Sequence, residues 1–524
     1  MKLENSSFYN EFLRNIKKQK SFTLTGLTTF SRILLAKFIK EISGKKILFL
    51  TSSEQMALRY SVDLEKIWEI SSVVLPFQNT SPYETVMGNI YDYQKQINIL
   101  RNNFDFVVAP IKVLLEKFPE KNFFEKKSLN LKVGDSISQQ ELLKKLIALG
   151  YKRATMVSDM GEFSIRGDIS DVYSLNENPI RIEFWGDEIV DIRYFNNETQ
   201  KSIEKIKDVE ILPIYKFVLP SKAPEEFSFS LKEQFEEEGF FEGINAYQSF
   251  FNDNLVSVLD YFEDYVIIYD EFAELSAKLT QISESYLNAY NEALKNSLVE
   301  PLKTLNHFSE SEIIQKTAGF QKISLNNFLS DESNEVIDID SQNIPIFDAD
   351  MEKLAEYILE RKGYDITIAT DYPERVKEIL KEYQIFNVNY IPSINSFGTE
   401  LKDGKILLIT DRELFNKRQK DLPSGRKRHY KEKAEYIESI NDIKEGEFVV
   451  HTVHGVGVYQ GLTQQEFDGQ LKDYLTIEYA NKDKLHIPAE QINMLCRYRG
   501  SGQIKPKLSR MGGSDWENTK SRVK

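Results

Sequence analysis

The chain has 524 residues, of which 41% are hydrophobic and 28% charged, and this length and composition predict several globular domains. Its formal net charge of −14 argues against binding nucleic acid over the whole surface and favours protein partners, or DNA contact through local patches. The sequence has no apolar run long enough to span a membrane, no signal-peptide core and a single cysteine, Cys496, so we expect a cytoplasmic protein without disulfides and without membrane contact.

Residues 1–123 alternate strands with helices, which predicts a parallel sheet. The expected elements in this region are a strand over 45–52, a helix over 54–69, a strand over 72–77, a helix over 88–103 and a strand over 104–110.

The stretch "SFTLTGLTTFSRILLAKFI" (21–39) has the layout of a phosphate-binding loop, with a short strand, a glycine and then a helix. Counted from Gly26, the second glycine, the lysine and the hydroxyl of such a loop fall at Ser31, Arg32 and Ile33. Arg32 is no substitute for a lysine inside the tight loop, and Ile33 cannot hold magnesium. We therefore interpret this stretch as a vestigial nucleotide site that binds no cofactor.

Residues 124–213 read as an α+β module. A helix over 138–149 begins after Ser138, and short strands follow it. In "PIRIEFWGDE" the apolar Ile180, Ile182 and Phe184 alternate with polar residues, which places Arg181 and Trp185 together on the opposite face of the strand.

The remaining regions are predicted from their composition and periodicity. We expect a helix-rich return to the first domain over 214–344 with a strand at 264–271, a small α/β domain over 345–415, a basic linker over 416–445, a β-barrel over 446–510 with bends at Gly455, Gly457 and Gly461, and the start of a truncated helix over 511–524. His451 and His454 lack a third ligand nearby, so no metal site is predicted.

Two long motifs carry a family resemblance. "GEFSIRGDISDVY…RIEFWGDEI…IRYF" resembles both the excision-repair helicase UvrB and the transcription-repair coupling factors, or Mfd proteins. "GEFVVHTVHGVGVYQGL…KDYLTIEYANKDKLHIP…MGGSDW" resembles the RNA-polymerase-interacting domain of the coupling factors, which is shared with CarD-type regulators. Their order in one chain is similar to the N-terminal part of a coupling factor.

The resemblance implies a multidomain α/β fold. It would comprise a UvrB-like P-loop-type α/β domain with an inserted α+β module, a second small α/β domain, and a C-terminal Tudor-like β-barrel. It also implies that ATP, magnesium and most DNA contacts belong to a motor that this chain lacks, so that the chain itself is a non-catalytic adaptor.

The resemblance further implies that the 124–213 module binds UvrA through Arg166, Arg181 and Trp185. An exposed arginine and tryptophan at strand spacing are residue types that dominate interface energies. The alternative is structural: Arg166 would pair with Asp168 or Asp171, and Trp185 would cover the sheet edge.

The barrel would bind the β subunit of RNA polymerase by adding a strand to it, and the matching stretch is 457–467. The candidate contacts are Tyr459, Leu462, Gln465 and Phe467, each equally compatible with a core role, with Leu462 the most core-like. Two other functions stay open at this point: a UvrB-like ATP-dependent repair enzyme, which Arg32 and Ile33 oppose, and a CarD-like transcription regulator.

Overall fold

A computed structural model of the chain describes residues 3–4, 6–78, 83, 89–102, 104–175, 178–241, 243–252, 254–328, 335–416, 444–451, 455–467, 470–488, 495–497 and 508. Met1–Gly425 form one compact unit and Arg426–Lys524 form a second. The helix predicted in 511–524 and nearly all of the linker predicted over 416–445 fall outside the described residues.

The helices are α1 (Tyr9–Lys17), α2 (Thr29–Ser43), α3 (Glu54–Trp68), α4 (Ile90–Arg101), α5 (Phe123–Lys127), α6 (Gln139–Ala148), α7 (Phe229–Glu238), α8 (Gln248–Phe251), α9 (Val258–Tyr261), α10 (Phe272–Lys295), α11 (Glu310–Thr317), α12 (Met351–Leu359), α13 (Pro373–Glu382) and α14 (Asp411–Phe415). The strands are β1 (Phe22–Thr25), β2 (Lys46–Thr51), β3 (Val73–Val74), β4 (Phe106–Pro110), β5 (Lys117–Pro119), β6 (Leu129–Lys132), β7 (Lys152–Arg153), β8 (Glu162–Arg166), β9 (Ile169–Val172), β10 (Ile180–Trp185), β11 (Glu188–Phe195), β12 (Ser202–Ile206), β13 (Asp208–Ile211), β14 (Leu255–Ser257), β15 (Tyr265–Asp270), β16 (Lys322–Leu325), β17 (Glu335–Asp338), β18 (Ser341–Asn343), β19 (Asp365–Ala369), β20 (Val388–Ile391), β21 (Thr399–Leu401), β22 (Ile406–Thr410), β23 (Phe448–His451), β24 (Gly455–Phe467), β25 (Gln470–Glu478), β26 (Lys484–Pro488) and β27 (Leu495–Arg497).

The first sheet is parallel, as the alternation of strands and helices predicts. Its order is β17-β1-β16-β15-β2-β4-β3, and each neighbouring pair runs parallel. The central strand β15 is buried along its whole length, because helices and loops cover both faces of a parallel sheet. The chain therefore returns to its first sheet after residue 214, as expected.

Two details of this sheet differ from the prediction. The strand expected over 72–77 is only the two-residue β3 at the edge of the sheet, and Pro76 just beyond it has no N–H to continue the ladder. The short strands β16 and β17 are not predicted, because four-residue segments carry too little periodicity to be recognised.

The predicted α+β module contains a six-stranded sheet with the order β12-β11-β10-β9-β8-β7. On β10, Ile180, Ile182 and Phe184 are buried, while Arg181 and Trp185 lie on the other face, as the period-two pattern predicts. Strand β6, where the module begins, pairs antiparallel with β13, where it ends. The two ends of the insertion are thereby held together.

A second α/β sheet has the order β18-β21-β22-β19-β20 and begins at Ser341, before the predicted start at 345. Only Ile339 and Asp340 separate β17, in the first sheet, from β18, in the second. The second unit contains an antiparallel sheet with the order β26-β25-β24-β23-β27, in agreement with the predicted all-β region. Its longest hairpin is β24–β25, which carries a bulge between Tyr459 and Leu462 where Gly461 has a φ of 104°.

Candidate functional site

The three residues predicted to bind UvrA lie on the solvent-facing side of the module sheet, but they differ in exposure. Trp185, at the end of β10, is 79% exposed. The side chain of Arg166, at the end of β8, is 49% exposed, whereas that of Arg181 is only 14% exposed. The fold thus presents an indole ring and one guanidinium to solvent and holds the second guanidinium close to the sheet.

Asp171 on β9 joins the two arginines, so the alternative pairing considered for Arg166 does occur. Asp171 Oδ2 accepts hydrogen bonds from Arg166 Nη2 at 2.8 Å and from Arg181 Nη2 at 2.9 Å, and Asp171 Oδ1 accepts one from Arg181 Nε at 2.7 Å. The predicted site residues are therefore linked through a carboxylate that the sequence analysis left as one of two candidates.

The rest of this face is a ladder of ion pairs that the sequence analysis missed. Arg193 bonds Glu183 at 2.9 Å and also bonds Asp191, and Asp191 accepts from Lys205 at 2.7 Å. Burial acts to raise the pKa of Asp191, but hydrogen bonds and charges from Lys205 and Arg193 lower it below its usual range. The signal was available, because charges of both signs recur at alternate positions along β10 and β11.

The loop at Gly26 has the predicted strand–turn–helix frame. Gly26 follows β1 with a φ of 73°, and Thr28 caps α2 by accepting from the amide of Ser31. Ser31, Arg32 and Ile33 all lie inside the first turns of α2 and are buried. Their side chains thus belong to the helix packing.

Arg32 is held by two carboxylates at the carboxyl end of β15. Its Nη1 donates to Asp270 Oδ1 at 2.7 Å and its Nη2 bonds Glu271, while Tyr60 donates to the other oxygen of Asp270 at 2.9 Å. Burial acts to lower the pKa of Arg32, but Asp270, Tyr60 and Glu271 raise it, so the guanidinium stays charged. Sequence reasoning missed these partners, although "YVIIYDE" ends a buried strand with two acids.

Strands of the second α/β sheet cover the same loop. The Ser341 hydroxyl accepts from the Thr28 amide at 2.9 Å and donates to the Gly26 carbonyl at 2.6 Å. The Thr28 and Thr399 hydroxyls lie 2.6 Å apart. A Cβ at position 26 would overlap the carbonyl oxygen of Ile339, so the glycine is required by a close backbone approach. Protein atoms therefore occupy the space beside this loop.

The residues predicted to bind RNA polymerase all lie on β24. Tyr459 is 3% exposed and belongs to the core of this sheet, while Leu462 is 44% exposed, so the interpretation of Leu462 as the most core-like candidate is wrong. Gln465 and Phe467 pair in register with Lys472 and Gln470, and their side chains lie outside the described residues.

Beyond the bulge, one edge of β24 has no pairing partner among the residues that the structure describes. Residues 455–458 of β24 pair with β23, whereas β25 is the strand neighbour that the described residues provide for 462–467. An uncovered apolar side chain, Leu462, lies on this segment opposite the buried Leu475. Such an edge is a template for strand addition.

Within the described ranges, histidine, cysteine and acidic side chains form no group of three that could hold a metal ion. His454 and the side chain of His451 lie outside those ranges. Among the helices of the described part, none combines the length and apolar composition needed to cross a bilayer.

Comparisons with known proteins match both regions. Residues 129–217 match the UvrB interaction domain, and residues 443–499 match the CarD-like/TRCF RID domain. The transcription-repair-coupling factor of Bacillus subtilis (strain 168) is 27% identical over 576 aligned residues, covering 99% of this chain and 48% of the relative. That of Staphylococcus aureus (strain MRSA252) is 26% identical, covering 98% of the chain and 48% of the relative. The chain thus spans about half the length of the curated relatives it matches, and the resemblance predicted from the sequence is confirmed.

Proposed function

We propose that this chain, a relative of the transcription-repair-coupling factors, is an adaptor in transcription-coupled excision repair. One surface, in the UvrB interaction domain, would recruit UvrA, and a second, in the CarD-like domain, would bind RNA polymerase stalled at a lesion. The observation that carries the proposal is the presence of both domains in one chain that aligns over 99% of its length with a coupling factor. The proposal includes the finer fold assignment, a P-loop-type first domain and a Tudor-like barrel.

The solvent face of β8–β12 supports the UvrA role. Trp185 offers a large exposed ring and Arg166 a half-exposed guanidinium, the residue types that contribute most to protein interfaces.

The exposed edge of β24 supports the polymerase role. Strand addition relies on backbone hydrogen bonds, and an apolar side chain on the added edge contributes specificity. Leu462 is the candidate with its side chain exposed, whereas Tyr459 stabilises the core behind it.

We predict that Leu462→Asp weakens binding to purified RNA polymerase about 10-fold, because it places a charge in an apolar contact. Surface-immobilised polymerase titrated with the full chain measures the affinity. The control is Lys484→Asp on β26, an exposed position on the other edge of the sheet, which should change affinity less than about 2-fold. Equal affinities for Leu462→Asp and the unmutated chain would contradict this docking surface.

The chain itself is proposed to be non-catalytic towards ATP. The Arg32 guanidinium is bonded to the carboxylates of both Asp270 and Glu271, and Ser341 and Thr399 engage the loop that would have to surround phosphate. A nucleotide would have to displace this network without gaining the magnesium ligand that Ile33 cannot provide.

We predict that neither the unmutated chain nor Arg32→Lys binds ATP–magnesium at millimolar concentration in calorimetric titration. The substitution supplies the lysine of an ATP-binding loop but leaves Ser31, Ile33 and the Ser341 contacts unchanged. Saturable binding by the unmutated chain would overturn the non-catalytic assignment and favour a UvrB-like enzyme. Binding by Arg32→Lys alone would show that Arg32, and not the covering strands, blocks the site.

A further inference from the structure

We infer that Asp171 is a positioning residue of the UvrA-binding surface: it fixes the guanidinium of Arg166, and Arg181 supports this arrangement instead of contacting the partner. The inference rests on the proposed function and refines it. It divides the three residues named from the family resemblance into two that touch UvrA, Arg166 and Trp185, and one that does not.

The register of the sheet brings the three charged groups together. Asp171 on β9 lies directly opposite Arg181 on β10 and opposite Ser164 on β8, and Arg166 follows two residues after Ser164 on the same side of β8. The Asp171 carboxylate is 1% exposed, so its three hydrogen bonds to guanidinium nitrogens replace its contact with water. One buried carboxylate thereby orients two arginine side chains.

Arg181 is committed to the module through each of its three nitrogens. Beyond its two bonds to Asp171, it donates from Nη1 to the Gln200 carbonyl at 3.3 Å and from Nη2 to Gln200 Oε1 at 3.2 Å. Its guanidinium also stacks on Phe195, with 4.4 Å between the central carbon and the ring centroid. Because these partners occupy its guanidinium nitrogens and little of its surface is exposed, Arg181 has few atoms left to contact a second protein.

Arg166, unlike Arg181, presents a large part of its side chain to solvent. Its side chain is half-exposed and is anchored by Nη2 on Asp171 Oδ2, the same oxygen that Arg181 Nη2 uses. Two guanidinium groups share one carboxylate, so this trio carries a net positive charge that reaches solvent at Arg166. An arginine held in one orientation loses less conformational freedom when a partner binds, which increases the affinity.

The test is a double-mutant cycle on UvrA affinity, measured with the full chain at fixed salt concentration. Asp171→Asn keeps the shape of the side chain and removes its charge. We expect Arg166→Ala to weaken UvrA binding about 10-fold, because it removes the contacting side chain. We expect Asp171→Asn to weaken UvrA binding about 5-fold, because the Arg166 side chain is then immobilised only on binding. Immobilising a long side chain costs about 0.5–1.5 kcal/mol, equivalent to about 2- to 12-fold. The double variant should bind within about 2-fold of Arg166→Ala alone. Losses that multiply in the double variant would overturn the inference, since a purely structural Asp171 would weaken binding whether or not Arg166 is present.

Two further measurements keep the result interpretable. Asp191→Asn removes a carboxylate from the same face that bonds Arg193 and Lys205, and it should change affinity less than about 2-fold. If Asp171→Asn unfolds the module, a second cycle with Arg181→Gln leaves Asp171 in place, and the same lack of additional loss with Arg166→Ala is expected. Multiplying losses in that cycle would also overturn the inference.

Absence of UvrA binding by the unmutated chain would refute the proposed function itself, whereas binding that needs Arg166 but not Asp171 would refute only this inference.

Discussion

Replacing Arg32 with alanine is expected to lower the free energy of unfolding of the first unit by about 3–5 kcal/mol, because it leaves the buried carboxylate of Asp270 without its cation. Asp270 is 5% exposed, and both it and Glu271 bond the guanidinium. Urea unfolding followed by far-ultraviolet circular dichroism at neutral pH measures the change. A loss below about 1 kcal/mol would show that the acids find other partners or water.

The control for this prediction is an exposed ion pair on α6 in the same unit. Lys145 pairs with Glu141 one turn earlier, and both side chains are about half-exposed, so Lys145→Ala should cost only about 0.5 kcal/mol. The difference in free energy of unfolding between Arg32→Ala and the unmutated chain should also become smaller as the pH is lowered. Without Arg32, burial raises the pKa of Asp270 further, so the folded variant takes up a proton more readily than its unfolded form and regains stability as the pH falls.

Replacing Trp185 with alanine is expected to weaken UvrA binding about 30-fold, equivalent to about 2 kcal/mol, because an exposed indole beside an arginine is a typical dominant contact. Trp185→Phe should retain affinity within about 5-fold, because it keeps an aromatic ring on the same strand position. Binding of UvrA to each purified variant can be compared by biolayer interferometry.

A matched control is available for the exposed aromatic ring. Phe229, the first residue of α7, is 83% exposed and lies outside the sheet of the module, so Phe229→Ala should leave UvrA binding unchanged within about 2-fold. Equal affinity for Trp185→Ala and the unmutated chain would move the interface away from this face. Equal losses for Trp185→Ala and Phe229→Ala would indicate a general effect of removing exposed rings.

Local periodicity was sufficient to predict which face of β10 each side chain occupies, but it could not predict which groups pair across that face. The alternation of Ile180, Ile182 and Phe184 places Arg181 on the solvent face, and the structure agrees. That Arg181 is nevertheless mostly covered follows from Gln200 and Phe195, which arrive from later in the chain. Sequence alone gives the face of a strand and not the exposure of a long side chain on it.

Contacts between residues that are far apart in the chain are the second feature that the sequence alone does not predict. Arg32 and Asp270 are separated by 238 positions, and their pairing depends on how β1, β16 and β15 are ordered in the sheet. In the second unit, the bulge at Gly461 adds a residue between Tyr459 and Leu462, so the period-two rule that assigns faces cannot be carried across it. The burial of Tyr459 and of Leu462 can therefore be assigned only from the folded sheet.

The two-residue connection between β17 and β18 has a mechanical consequence. In the first unit, the small α/β domain is tied to the first sheet by Ile339–Asp340 and by the Ser341 and Thr399 contacts at the Gly26 loop. A torque on the small domain would have to peel the edge strand β17 from β1 and break those hydroxyl contacts at the same time. We therefore expect this joint to resist rotation of the small domain against the first sheet.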